Sequence, residues 1–302
     1  FDGLALGAIY ALISLGYTLV YGVLRLINFA HSEVFMIGTF SALVASGIMG
    51  VKVEDDPRTG WGMVFTLLIC LIAAMLASGI TAVLVEIIAY RRLRQRGATK
   101  LATLISAIGV SISLVELFRI ITDSLPREFP RIMDKTFLFS YAGADIRNDK
   151  VIVIIAAGLM MFALERFISK SRYGKGIRAV SMDENTATLM GVNINKVITV
   201  TFLAGGMMAG AAAFFYILVY ENTSFKVGFF LGISAFTAAV LGGIGNLKGA
   251  LFGGFMLGVL ETWTSAVFGT AWKAVISFLI LVLVLLIKPT GLFGESIQQA
   301  RV

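Results

Sequence analysis

The sequence predicts an all-α polytopic membrane protein of about eight to ten transmembrane helices, some of them discontinuous. Three observations predict it. Of the 302 residues, 58% are hydrophobic and only 14% charged. The apolar residues fall in several runs, each near the ~20 residues that cross a bilayer as a helix. Basic residues gather at the ends of those runs, where Lys and Arg mark the cytoplasmic side. Long unbroken apolar runs exclude a transmembrane β-barrel, whose strands are short and alternate. A net charge of +7 and a pI near 9.6 require no nucleic acid, because the basic residues already have a role at span ends. Cys70 is the only cysteine and lies inside an apolar run. That excludes an intrachain disulfide or a cysteine-ligated metal within one chain and fits a small buried apolar residue. The chain starts at Phe1 almost directly in a span, and a signal peptide is not readable from such a start.

The first span runs from about Leu4 to Leu24 and stops at Arg25. Tyr10, Tyr17 and Tyr21, with Ser14 and Thr18, give it a moderately polar stripe that faces other helices or an aqueous path. The run Ile27 to Met49 opens with INFAHSEVFMIGTF. Asn28 and Ser32 are helix-capping types and Glu33 suits a first helical turn, so the backbone breaks and restarts here, close to or within the membrane. His31, the only histidine, reads either as a path residue or as a polar residue hydrogen-bonded between helices. Val51 to Gly60 is a short polar loop. A span from Gly62 to Tyr90 then delivers the chain to Arg91, Arg92, Arg94, Arg96 and Lys100, a basic loop with no acid and the clearest cytoplasmic marker; anionic lipid is a natural neighbour for it. Leu101 to Thr122 returns outward, the charge-balanced loop Asp123 to Lys150 suits the outer side, and Val151 to Ile168 comes back in. The later spans are Val197 to Val219, Gly228 to Gly243, Ala250 to Phe268 and Ala274 to Ile287. This makes about nine crossings, the first starting from outside.

Between the fifth and sixth spans lies the longest water-compatible stretch of the second half, Ser169 to Lys196. It is basic, with Lys170, Arg172, Lys175, Arg178 and Lys196 against Asp183 and Glu184. Asp183 to Met190 has the residue types of a short helix, stopped by Gly191 and Asn193. A basic, helix-bearing cytoplasmic loop reads as a handle gripped by another protein.

Two breaker-rich stretches, INFAHSEVFMIGTF and VLGGIGNLKGALFGGF at Val240 to Phe255, occur one in each half and point to a path between discontinuous helices. Gly206, Gly210, Gly249, Gly253, Gly254 and Gly258 are spaced for close helix packing as well. Glu86, Glu116, Arg119, Glu165 and Arg166 fall near span ends and read as interfacial anchors, while Glu261 is the deepest acid and reads as a pore residue or a helix-to-helix hydrogen bond. No G-x-x-x-x-G-K-[ST] loop occurs; Gly174-Lys175-Gly176 lacks the spacing and the hydroxyl. The chain therefore has no ATPase site of its own, and any ATP is bound by partner subunits. A G-x-S-x-G elbow and a H-E-x-x-H are absent too, so the sequence shows no enzyme site.

INFAHSEVFMIG at Ile27 to Gly38, AFTAAVLGGIG at Ala235 to Gly245 and RYGKGIRAVSMDENTATLMGVNINKV in the handle resemble, over essentially the whole chain, the LivH-type permeases of branched-chain amino-acid ABC transporters. The resemblance implies a single transmembrane permease domain over 1–302 with two related halves, in a bacterial inner membrane. It implies a second related permease, two cytoplasmic ABC ATPases and a periplasmic or extracellular amino-acid-binding protein as partners, with leucine, isoleucine or valine as cargo. The segment 169–196 then matches the importers' coupling segment. Ala187 and Gly191 keep the coupling motif's spacing, while Asn185 stands where its glutamate is usual; Arg178, Asp183 and Glu184 complete the expected ATPase-coupling set. Alternating access needs helix ends for a zwitterion's charges and an apolar wall. Asn28, His31, Ser234, Thr237 and Asn246 are the expected path-lining residues. Urea or amide permeases share much of the pattern; a secondary transporter or channel, and a membrane scaffold or enzyme subunit, are the readings from other classes.

Overall fold

The computed structural model describes residues 1–141 and 144–294. In them, eight helices are long and apolar enough to cross a membrane, and Val227–Gly242 is a shorter apolar helix, which together make the nine expected elements. They are α1 (Asp2–Leu24), α2 (His31–Ile48), α3 (Gly60–Val85), which continues through a π-helical turn at Glu86–Arg91 into α4 (Arg92–Gln95), α5 (Lys100–Ile121), α6 (Asn148–Lys170), the handle helices α7 (Arg172–Met182) and α8 (Glu184–Leu189), then α9 (Ile194–Tyr220), α10 (Val227–Gly242), α11 (Leu247–Phe268) and, after a turn of 3-10 helix, α12 (Lys273–Ile287). The outer segments, loops by composition, add short strands. β1 (Arg127–Glu128) and β2 (Phe137–Tyr141) lie after α5, β3 (Ala144–Arg147) precedes α6, and β4 (Asn222–Thr223) follows α9; β1 pairs antiparallel with β4, and β2 with β3.

The core forms around α1 and α9, which are buried along most of their length. Their small residues explain it. A Cβ on Gly258 of α11 would lie 2.3 Å from the Gly7 nitrogen of α1, and one on Gly210 of α9 would lie 2.3 Å from the Ala74 carbonyl oxygen of α3. Backbones this close exclude any side chain, and in a membrane such approach supplies the packing that the hydrophobic effect does not. The glycine stripes are therefore packing surfaces. Cys70 is buried in the same core.

The helices fall into two halves of opposite direction. α1 packs along α11 as α9 packs along α3; α2 meets α3 as α10 meets α11; α2 crosses to α9 as α10 crosses to α1; and α5 touches α2 as α12 touches α10. Both leading helices end on a non-glycine residue in the left-handed conformation, Arg25 (φ 51) and Glu221 (φ 54), and the next helix starts six residues later in each case, at His31 and at Val227. Asp2 pairs with Lys150 of the outer segment at 2.6 Å, whereas Arg25 donates to the Ser181 carbonyl in the handle at 3.1 Å. Hence α1 runs inward and α9 outward.

This symmetry corrects the pairing of the two breaks. The counterpart of the break before His31 is Glu221–Lys226, on the outer side, not Gly242–Asn246. The latter is a cytoplasmic turn joining α10 to α11, made possible by Gly243 (φ 107) and Gly245 (φ 100), values that disfavour any residue with a Cβ. The handle is also more helical than its composition suggests. Two glycines lower the propensity of α7, yet Ile177 and Val180 are buried and a Cβ on Gly174 would lie 2.2 Å from the Ile168 carbonyl oxygen, so the glycine is a docking point rather than a breaker.

Candidate functional site

The segment after Arg25 turns back into the protein interior. Asn28 holds the turn, its Oδ1 accepting from the Ala30 amide at 3.1 Å and from the Tyr90 hydroxyl at 2.9 Å. α2 then begins at His31 with Ala30 as its N-cap; neither Asn28 nor Ser32 caps the helix, and Ser32 Oγ donates instead to the Phe29 carbonyl at 2.8 Å. His31 is 1% exposed, edge-on to Tyr17 at 4.7 Å, and faces Gly16, where a Cβ would collide with its Nε2. Gly16 lies past the middle of α1, so α2 starts deep in the membrane. The first turn of α10 meets it from the opposite half. A Cβ on Gly228 would lie 2.5 Å from the Ser32 carbonyl oxygen and 2.8 Å from Glu33 Oε2. Two helix N-termini, each with positive dipole character, thus converge at mid-depth.

Beside them runs a groove of about 710 Å³, lined by Tyr17, Phe29, Ser32, Glu33, Ser111 and Phe236 and continuing past Phe229 and Phe230 to Lys226 on the outer side. Its wall is mostly aromatic and aliphatic. Glu33 is the exception. The residue is fully buried; Oε1 accepts from Ser111 Oγ at 3.2 Å and shares the Ser32 hydroxyl, at 3.1 Å, with the Phe29 carbonyl, while Oε2 has no hydrogen-bond partner among the described residues. Buried carboxylate oxygens are normally satisfied, and one that is not calls for an explanation.

A second cavity, about 650 Å³, opens on the cytoplasmic side among Thr18, Arg25, Arg178, Asn246 and Lys248. The expected path residues are thereby separated. Asn28 and His31 flank the mid-depth break. Asn246 is the N-cap of α11, its Oδ1 accepting from the Lys248 and Gly249 amides at 3.0 and 3.1 Å, and it borders the cytoplasmic cavity. Ser234 belongs to a buried hub on Glu261: Ser234 Oγ donates to Oε1 at 2.9 Å, Tyr10 donates to Oε2 at 2.7 Å, and Ser277 donates to Oε1, which joins α1, α10, α11 and α12. Thr237 is buried and donates to the Ile233 carbonyl of its own helix. Glu261 is thus a helix-to-helix hydrogen-bond centre. The groove residues Tyr17, Ser111 and Glu33 were not in the expected set. An acid inside an apolar run was the available signal for Glu33, and its first-turn position offered a simpler account.

The handle is built from caps. Ser171 Oγ accepts from the Gly174 amide, and Asp183 accepts from the amides of Asn185 and Thr186 at 2.8 and 3.2 Å and from Thr186 Oγ1 at 2.9 Å. Hydrogen bonds from Thr186, then Asn185, hold the Asp183 carboxyl below the usual aspartate range. Ala187 is buried, Glu184 is exposed, Arg178 donates to the Ser169 carbonyl, and Gly191 (φ 82) closes α8 with its amide on the Thr188 carbonyl at 2.9 Å. Met182, Leu189 and Met190 are 81%, 87% and 80% exposed, an apolar surface on an otherwise polar segment. Glu86, expected as an interfacial anchor, is instead fully buried. It pairs with Arg91 at 2.5 Å and accepts from Thr199, and Arg94 goes on to Asn195 Oδ1 at 2.5 Å, tying α4 to the start of α9. Outside, Lys135 and Arg131 pair with Glu221 at 2.6 and 3.3 Å. Burial alone would raise the Glu221 carboxyl; these two cations outweigh it and hold it below the usual glutamate range.

Residues 1–285 match the family described as the permease component of branched-chain amino acid transport systems. The chain is 39% identical to the high-affinity branched-chain amino acid transport system permease protein BraD of Pseudomonas aeruginosa, over 97% of this chain and 94% of BraD. It is 39% identical to the corresponding permease protein LivH of Escherichia coli K12, over 98% of this chain and 94% of LivH. A shorter similarity, 28% identity over 37% of this chain and 31% of the relative, joins it to the fructose import permease protein FrcC of Rhizobium meliloti.

Proposed function

Since the chain belongs to the family of branched-chain amino acid transport permeases, we propose that it is the membrane-spanning permease subunit of an ABC importer and carries branched-chain amino acids across the bacterial inner membrane. It is a transport subunit and not an enzyme. Its partners are a second related permease, two cytoplasmic ABC ATPases and a soluble amino-acid-binding protein on the outer side. The observation that carries this reading is the convergence of the α2 and α10 N-termini on one aromatic groove: helix ends suit a carboxylate, and the aromatic wall suits a branched aliphatic side chain. The groove is open on one side, toward Ile108, Ile112, Phe229 and Phe230, and a second permease packed there supplies the missing wall.

Driving force enters through the handle. Nucleotide bound between the ATPases moves them as rigid bodies, and α8, flanked by Met182 at the end of α7 and by Leu189 and Met190 at its own end, all outward, lies in their groove. Arg25 then carries the motion from the handle carbonyls to the turn that holds Asn28 and His31. Ion pairs at the exposed basic residues orient docking more than they hold it.

The test is uptake of radiolabelled leucine, with urea in parallel, into proteoliposomes holding this chain and its partners. Leucine uptake is expected to require ATP and to fall about fivefold to thirtyfold in Gly191→Val, because a β-branched residue at φ 82 costs roughly 1–2 kcal/mol of backbone conformation. Uptake of urea in place of leucine would refute the cargo. Leucine uptake without ATPases or ATP would refute the importer and leave a secondary transporter or channel.

A further inference from the structure

We propose that Glu33 is a specificity-determining residue of the path, and that its free Oε2 receives the cationic amine of an α-amino acid at mid-membrane. The inference rests on the importer reading above. Its basis is the local chemistry. Of the acidic residues that line or border the groove, Glu116 sits at the outer end and is paired with Arg119 at 2.6 Å. Glu33 is at the deep end, where the two helix N-termini meet, and among the described residues no basic side chain pairs with it. A desolvated carboxylate with one oxygen unpaired is costly. Both nearby hydroxyls, Ser32 and Ser111, lie on the Oε1 side, while Oε2 is buried against Gly228, where any Cβ would lie 2.8 Å from it.

An arriving zwitterion supplies what is missing. Its ammonium satisfies Oε2, its carboxylate faces the first-turn amides of α2 and α10, and its apolar side chain lies against Phe29, Phe229 and Phe236. Every group of an amino acid then finds a complement, whereas a carboxylic acid without an amine leaves Oε2 unpaired and a sugar hydroxyl, which can donate to Oε2, brings no compensating charge. An unpaired buried polar atom discriminates more strongly than a missing methylene. The fold alone does not set the cargo, and Glu33 places the choice of an amine-bearing cargo inside the membrane as well as at the binding protein.

The experiment measures leucine transported per ATP hydrolysed by the reconstituted complex carrying Glu33→Gln, alongside ATPase stimulation by leucine-loaded binding protein. Gln keeps the shape and removes the charge. A hydrogen bond to a charged group is worth enough that leucine per ATP is expected to drop about tenfold to a hundredfold, with stimulated ATPase activity retained and Glu33→Asp recovering part of the loss. An unchanged ratio overturns the proposal. So does a parallel fall of uptake and ATPase, which marks a residue that acts on the conformational cycle. If the Gln variant does not assemble, Ser111→Ala, on the half-buried face of α5, reads the same ratio: removing one of the two donors to Oε1 is expected to lower it a fewfold, and no change overturns the proposal. Wild-type proteoliposomes that take up no leucine with ATP would instead refute the importer reading itself, and the two failures are distinct.

Discussion

The contact between α1 and α11 allows a substitution whose cost follows from geometry. In Gly258→Ala the new methyl would lie 2.3 Å from the Gly7 nitrogen, 2.4 Å from its Cα and 2.6 Å from the Gly3 carbonyl oxygen. All three are backbone atoms and none can swing aside. Ordinary contact begins near 3.4 Å, so α1 must retreat by about 1 Å. One turn along each helix, Tyr10 donates to Glu261 at 2.7 Å; the same retreat takes that bond past hydrogen-bonding range. Losing a hydrogen bond to a charged group costs roughly 1.5–3 kcal/mol, and overpacking adds about 1–3 kcal/mol. The gain in helix propensity from Gly to Ala returns about 0.5–1 kcal/mol. The net loss is about 2–5 kcal/mol, enough to lower the melting temperature by several degrees. Gly22→Ala is the control: it lies in α1, the helix that Gly258 packs against, with nothing among the described residues within 4 Å of its Cβ, and it should be neutral or slightly stabilising. Cys70, buried and the only thiol in the chain, reports the transition. Its labelling on heating, read by mass spectrometry in the assembled complex, should begin earlier in Gly258→Ala than in wild type. Coincident curves for Gly258→Ala and Gly22→Ala would refute the reasoning.

Two further predictions concern the handle and its tether. Asp183→Ala removes the N-cap of α8, and amide hydrogen exchange at Asn185 and Thr186 should quicken several-fold to about tenfold, with Asp183→Asn close to wild type. The Asp183 carboxyl is held low by its hydrogen bonds from Thr186 and Asn185. The capping contribution is therefore fully present above the unfolded aspartate pKa and is lost only as the pH falls through the lowered value; exchange at these amides, corrected for intrinsic rates, should show no cap-related step between about pH 5 and 8. Glu86→Ala strips the fully buried partner of Arg91 and Arg94; both arginines keep some exposure, so roughly 2–3 kcal/mol is expected rather than the full cost of a buried unpaired charge. Exchange near Thr199 should rise in that variant, and an unchanged profile there would show that the ion pair does not anchor the start of α9.

The membrane spans, their polarity and the breaks around Ala30 and Gly243 are legible because hydropathy and glycine chemistry are local properties. What the sequence hides is which break answers which. Glu221 to Lys226 carries no glycine or proline, and its turn rests on a left-handed glutamate held by Lys135 and Arg131; those partners lie far off in the chain. α7 was hidden for the converse reason, as Gly174 and Gly176 look like breakers until the Ile168 carbonyl is seen against one of them. Glu86 lies near the end of its apolar run and Glu261 deeper in its own, yet both are buried, one locked by arginines and the other by hydroxyls. Of the candidate site, the stretch 28–33 stands out by residue type. Ser111 is invisible, because nothing distinguishes it from other serines until the fold brings it to Glu33.

Arg25 and Glu221 occupy a backbone region where glycine is the natural choice, at a cost of about 1–2 kcal/mol each. Glycine would relax the turns but sever both from their surroundings, since Arg25 reaches the handle and Glu221 reaches the outer segment through side chains glycine lacks. The protein thus keeps two stressed hinges, each wired to a different compartment, at symmetry-related positions. Arg25 thereby joins the handle to the inner re-entrant turn, and Glu221 joins the outer segment to the other. The two turns feed helices whose first turns touch, so contacts from opposite faces of the membrane end at a single point in the middle of the bilayer.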